Sequence, residues 1–134
     1  AQELGIAERF CWRGQIDRSE KIHLLKEIDV FAMPTPVPEA KGIPVIEAMA
    51  AGVPVVASAS GAFPELLGIH EESPAGDVHM PGDIADLASC LEGMLRNEER
   101  AVDCGMAGHA RVRNQYQAHH MAAAHESLYE EVRR

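Results

Sequence analysis

Two carboxylates, Glu39 and Glu47, stand eight positions apart in the stretch Glu39-Ala-Lys-Gly-Ile-Pro-Val-Ile-Glu47. Between them Gly42 accepts backbone angles closed to other residues and lets a ligand approach the main chain. Pro44 suits the first turn of a helix, where its missing N–H is not needed. The spacing therefore predicts Glu39 in a loop and Glu47 about one turn into a helix. A helix start offers free amides and a positive dipole end, which together form a ready anion site. An anion cradle flanked by two hydroxyl acceptors suits a sugar nucleotide, with its diphosphate between a ribose and a hexose. Taken one at a time, the two acids have plainer readings: Glu39 as an exposed loop acid, and Glu47 as a charge that complements the helix dipole.

The surrounding sequence supplies elements to hold these groups. Arg9-Phe10-Cys11-Trp12-Arg13-Gly14 is short, partly aromatic and closed by glycine, and predicts a strand, with Trp12 as a packing anchor. Asp17 and Glu20 have the capping-box spacing. Ile22, Leu24, Leu25 and Ile28 continue from them as a rough helical stripe. Asp29-Val-Phe-Ala-Met33 predicts a second strand, ended by Pro34, and Thr35-Pro-Val-Pro38 a stiff loop. The helix carrying Glu47 is expected over 43–51, with Gly52 just past its end. Val53-Pro-Val-Val-Ala57 is a continuous apolar run of the kind found in a buried parallel strand. Ser58-Ala-Ser-Gly61 follows as a small-residue loop, then a short helix from Phe63, and a weaker strand over 76–80. Helices are expected over 83–96, 98–116 and 118–133. Ala1-Gln-Glu-Leu-Gly5 reads as the tail of a helix whose beginning is missing. Four strands alternating with helices imply a parallel α/β sheet with helices on both faces, whose ligands bind at the carboxyl ends of the strands. Gly14, Glu39, Gly42 and Gly61 all lie just past predicted strand ends.

At 134 residues the chain fits one domain with a modest core. Its net charge of -9 argues against a general nucleic-acid or anionic-membrane surface. A small anionic ligand remains allowed, because a helix N-terminus acts locally. Cys11, Cys90 and Cys104 have no metal-ligand spacing and read as reduced, buried, small apolar residues, consistent with a cytoplasmic setting. His119, His120 and His125 lack the i,i+3 or i,i+4 spacing of a helical metal site, and no metal constellation is expected.

The order Pro34, Glu39-x7-Glu47-Ala-Met-Ala-x-Gly-Val-Pro-Val-Val-Ala-Ser58, then Gly61-Ala-Phe-Pro-Glu-Leu66 resembles the C-terminal domain of retaining glycosyltransferases of group 1 (family 4), which have the GT-B fold. The resemblance runs through nearly the whole chain. It implies a Rossmann-like α/β domain that binds a nucleoside-diphosphate sugar as substrate, with no cofactor and no metal. By position, Glu39 would contact hydroxyls of the donor sugar and count as the catalytic residue. Glu47 would accept the ribose hydroxyls, and the amides around Gly42 and Ile43 would face the diphosphate. Gly14 and Gln15 fall where the family places the nucleobase, and Gly61 lies close to the same cleft. Lys41 stands where an aromatic or other residue often precedes the glycine; it would add charge near the phosphates or point to solvent.

Against the family pattern, the chain over 1–134 reads as a partial donor-binding domain ending in a helical tail. The first two family strands and a basic pair that neutralises the diphosphate are missing. So is the N-terminal acceptor domain. In a sheet ordered 3-2-1-4-5-6 the missing strands would join this chain's first strand to its other three. The fragment alone is expected to be inactive and to need the rest of its protein, or a partner chain such as a second copy, to complete the sheet. Peripheral membrane association is a further expectation for the full-length enzyme. The alternative from another class is a non-catalytic nucleotide-binding or assembly module with the same fold. A phosphoacceptor receiver domain is excluded, because it needs a lysine after its last strand and no lysine follows Lys41.

Overall fold

A computed structural model of the chain describes residues 2–133; Ala1 and Arg134, the ends of the expected domain and of its opening helix, lie outside the described residues. The chain is built from α1 (Arg18–Glu27), β1 (Phe31–Met33), α2 (Ile43–Ala50), β2 (Val55–Ser58), α3 (Phe63–Leu67), β3 (Gly76–His79), α4 (Ile84–Arg96), α5 (Glu98–Gln115) and α6 (Ala118–Val132). The three strands form one parallel sheet in the order β1-β2-β3. Phe31 is in register with Val55, and Ser58 with His79.

β2 is the central strand, and all four of its residues are buried. Its side chains alternate between the two faces, as a pleated strand requires. Val55 and Ala57 join Val45, Met49, Phe63, Leu67 and Val112 in the larger core. Val56 points the other way, to Met94 and Cys104, with Leu87 and Leu91 of α4 packed beside them. Helices therefore cover both faces: α2 and α3 on one, α4 on the other. The two-sided burial explains why β2 is uniformly apolar instead of alternating.

Local signals set the helix ends. The Asp17 side chain accepts from the Glu20 N–H at 2.9 Å, and the Glu20 carboxylate accepts from the Asp17 N–H at 3.0 Å, closing the capping box of α1. Asp83 caps α4 and Asn97 caps α5 by the side-chain half of this arrangement alone, accepting from the N–H of Asp86 and of Arg100. Of the apolar stripe on α1 only Leu25 is fully buried, and Ile22 is exposed.

The expected strand over Arg9–Gly14 is not a strand. Ala7–Arg9 form a 3-10 turn, Phe10 after it is extended, and the residues from there to Gly14 join no strand ladder. A strand exists through its neighbour's hydrogen bonds, and none of the described strands lies beside this segment. Trp12, expected as a packing anchor, is 81% exposed. The opening likewise forms a turn, not a helical tail: Gly5 N–H donates to the Gln2 carbonyl at 3.1 Å, and Gly5 sits at positive φ. Among the described residues β1 has a neighbour on one side only.

Candidate functional site

Three strand ends deliver the loops that form the site. The loop after β1 carries Glu39, and α2 begins immediately after it. Gly42 is the N-cap of α2 in the left-handed conformation (φ 60°), and Pro44 lies in the first turn, where no amide is required of it. Glycine at 42 has a packing reason as well: a Cβ there would collide with the Leu66 side chain and come within 3.3 Å of the Phe63 ring. The start of α2 is thus seated directly on α3.

The Glu39 side chain folds back over this helix start. Its Oε1 accepts the N–H of Lys41 at 3.0 Å and that of Gly42 at 3.3 Å. Donation from the Lys41 amide, then from Gly42, holds the Glu39 carboxyl below its ordinary value. The loop after β2 secures the Glu39 backbone from the other side. Ala62 N–H donates to the Glu39 carbonyl at 2.8 Å. Gly61, at φ 57°, approaches so closely that a Cβ would overlap the Glu39 carbonyl oxygen and stand 2.6 Å from its nitrogen. Ser58, buried at the end of β2, donates its hydroxyl to the Thr35 carbonyl and ties the two loops together below the site. The end of β3 contributes His79, which is buried and uses Nδ1 with the Met80 carbonyl at 2.9 Å, while its Nε2 has no hydrogen-bond partner among the described residues. Ala59 N–H donates to the His79 carbonyl at 2.7 Å.

Glu47 lies on α2 roughly 7 Å of helix rise beyond Gly42. It is half-buried, and its Oε1 pairs with Nζ of Lys21 on α1 at 2.6 Å. A cleft of about 330 Å³ runs between these helices, lined by Lys21, Ile22 and Leu25 on one side and Glu47, Ala50 and Ala51 on the other.

Of the expected site residues, the structure gathers Glu39, Lys41, Gly42 and Gly61, with Ile43 opening α2 and Glu47 further along it. Lys41 contributes its amide, and its residue is exposed. Gly14 and Gln15 stand apart. Both are exposed, no hydrogen bond among the described residues ties them to the Glu39 loop, and the segment around them lies along the Glu20, His23 and Leu24 flank of α1. Two groups escaped the sequence reading, Lys21 and the Ser58–Thr35 link. Lys21 is separated from its partner by 26 positions, and no local motif marks it. Cys11, expected to be buried, is exposed; Cys90 is half-buried and Cys104 buried, and desolvation raises both of their thiols. Among the described residues no helix is long and apolar enough to cross a membrane.

A loop–helix anion cradle at the carboxyl ends of a parallel sheet is shared by many nucleotide-binding proteins, so the deciding observation is one of sequence. The profile of the family described as "Glycosyl transferases group 1" matches residues 1–111. The chain belongs to this family. A phosphatidyl-myo-inositol mannosyltransferase of Mycobacterium leprae is 38% identical over 108 residues, covering 78% of this chain and 28% of the relative. Among solved structures, sucrose-phosphate synthase from Thermosynechococcus elongatus superposes with a TM-score of 0.86 at 28% identity, covering 98% of this chain and 32% of that one. Anabaena HepE in complex with UDP-glucose superposes with a TM-score of 0.75 at 25% identity, over 84% of this chain and 30% of that one. The chain thus spans about a third or less of each of these three proteins. The shared part is the Rossmann-like C-terminal domain of the GT-B fold.

Proposed function

We propose that the protein carrying this chain is a retaining glycosyltransferase and that residues 1–134 supply part of its site for a nucleoside-diphosphate sugar. The observation that carries this is the seat of Glu39: two amides at the start of α2 already converge on an anionic oxygen. The HepE structure, which holds UDP-glucose on the same fold, supports the same ligand class.

In this reading Glu39 offers its second oxygen, which takes no hydrogen bond among the described residues, to hydroxyls of the donor sugar. Glu47 accepts from the ribose hydroxyls. The Ile43 amide, with Lys41 beside it, faces the diphosphate at the helix start next to Gly42, whose own amide is held by Glu39, and Gly61 fixes the height of the Glu39 loop. Gly14 and Gln15 serve the nucleobase once the neighbouring strands are in place. During transfer the bond from the anomeric carbon to the diphosphate oxygen breaks, the electron pair leaves with the nucleoside diphosphate, and an acceptor hydroxyl oxygen forms the new bond to that carbon as its proton passes to the departing diphosphate. Amides fixed at a helix start stabilise the charge that develops there without having to reorient. The anomeric centre meanwhile passes through an oxocarbenium-like state, beside the Glu39 carboxylate that positions its ring. We place the enzyme in the cytoplasm and leave acceptor recognition to parts of the protein outside this chain.

The test is calorimetric titration of the full-length protein with UDP, GDP and ADP, with Glu47→Ala as control. Binding of one nucleotide, weakened roughly tenfold or more in the variant by loss of a charged acceptor, is the expected result. Silence toward all three refutes the donor site. Binding without any turnover of the matching nucleotide sugar assigns the chain to a non-catalytic nucleotide-binding module.

A further inference from the structure

Glu47 has three side-chain torsions and sits half-exposed on α2, so nothing in its own helix fixes where its carboxylate points. Its fixed contact comes from outside that helix. Lys21 reaches across from α1 and binds Oε1 at 2.6 Å, and Oε2 takes no hydrogen bond among the described residues. α1 is itself well placed to hold such a contact: the Asp17–Glu20 capping box fixes its start, and Leu25, one turn beyond Lys21, is anchored in the larger core. Arg18 and Lys26 border the same cleft, so Glu47 is the acid facing three cations there. Of these, Lys21 alone bonds it.

We propose that Lys21 is a positioning residue of the donor site, holding one oxygen of Glu47 so that the other is presented to the ribose hydroxyls; this rests on the donor-site reading above. Exposure distinguishes this role from a purely structural one. The Lys21 and Glu47 side chains are 41% and 36% exposed, and ion pairs that wet contribute little to stability. Loss of Lys21 should therefore leave the fold's stability nearly intact while loosening the Glu47 carboxylate. Orientation matters most to a ligand that reads that carboxylate, and the ribose 2′-hydroxyl is such a group. The signature of positioning is thus a change in discrimination between ribose and 2′-deoxyribose. A change in general affinity for diphosphates would be the signature of a simple charge.

The experiment uses the full-length protein, the nucleotide among UDP, GDP and ADP that binds, and its 2′-deoxy counterpart. Wild type should prefer the ribonucleotide by roughly tenfold or more, since a hydrogen bond to a charged acceptor is at stake. Glu47→Gln should largely erase that preference. Lys21→Met should reduce it by about threefold to fivefold, with a smaller loss toward the deoxynucleotide, which keeps its 3′-hydroxyl, and Lys21→Arg should restore it. Retention of the full preference in Lys21→Met overturns the proposal. So does an equal loss toward both nucleotides, which makes Lys21 a general attractor of anions. A melting temperature lowered by more than about 5 °C would assign Lys21 to the fold and also overturn it. If wild type binds neither nucleotide, or Glu47→Gln keeps the preference, the donor-site reading itself fails, and the role of Lys21 falls with it.

Discussion

Replacing Gly61 by alanine tests how the Glu39 loop is seated. Two costs are separable. The first is conformational: Gly61 sits at φ 57°, and a left-handed L-residue costs about 1–2 kcal/mol. Part of this is offset, because alanine has less freedom than glycine to lose on folding, by about 0.4–1 kcal/mol. The second is steric. The added carbon would overlap the Glu39 carbonyl oxygen, which is backbone and cannot rotate away. Forcing an extra carbon into a filled space costs about 1–3 kcal/mol. The sum is a destabilisation of about 1–5 kcal/mol, or a Glu39 loop pushed off α2 with loss of the Lys41 and Gly42 hydrogen bonds. Gly82 supplies the control. It too has positive φ (81°), but a Cβ there meets nothing within 4 Å, so Gly82→Ala should cost only the conformational part, about 1 kcal/mol. Urea unfolding of the two variants, with nucleotide titration of each, separates the terms. If Gly61→Ala is no more destabilising than Gly82→Ala and binds nucleotide as wild type does, the inferred seating of the loop is wrong.

Two further expectations concern ionisation. Both Glu39, held low by amide donation, and Glu71, held low by the Arg111 guanidinium at 2.5 Å, have folded-state values beneath the ordinary 4.5. Each therefore adds stability that is fully present above 4.5 and is lost as the pH falls through its folded value. Urea midpoints of Glu39→Gln and Glu71→Gln should lie below wild type at neutral pH and converge on it in acid; a gap independent of pH would contradict the assignment. The thiols should separate by environment: exposed Cys11 is expected to react first with a maleimide near neutral pH, and Cys90 and Cys104, whose thiols desolvation keeps protonated, only on unfolding. Mass mapping of the first label tests this.

The parts of the fold that were legible in the sequence are those decided locally. Asp17 and Glu20 close a capping box because three residues span one turn. Gly42 and Pro44 start α2, and Gly52 ends it, through their own backbone limits. The run around Val55 and Val56 reads as a central strand because only two-sided burial makes a strand apolar throughout. The misreadings share the opposite character. Phe10 and Trp12 have the composition of a strand, but a strand is a relation to a neighbour, and composition does not report whether that neighbour is present. Lys21 and Glu47 meet across 26 positions and two helices, so neither spacing nor motif connects them. Gly61 was visible as a glycine after a strand, while its reason, the Glu39 backbone packed against it, is a tertiary contact. The site was therefore readable as a set of residues, and its internal hydrogen bonds were not.

The one-sided pairing of β1 has a consequence on the timescale of hydrogen exchange. Phe31 N–H donates to the Pro54 carbonyl at 3.0 Å, toward β2. Successive amides of a strand point to opposite sides, so the Ala32 N–H faces the open side, and that residue is exposed. In this chain the Ala32 amide should exchange with deuterium at close to the rate of a free peptide, while its neighbour Phe31 is protected for as long as the sheet holds. Any strand that docks alongside β1, from the same polypeptide or from another, must capture that hydrogen. A single backbone amide thereby reports whether the sheet has been extended.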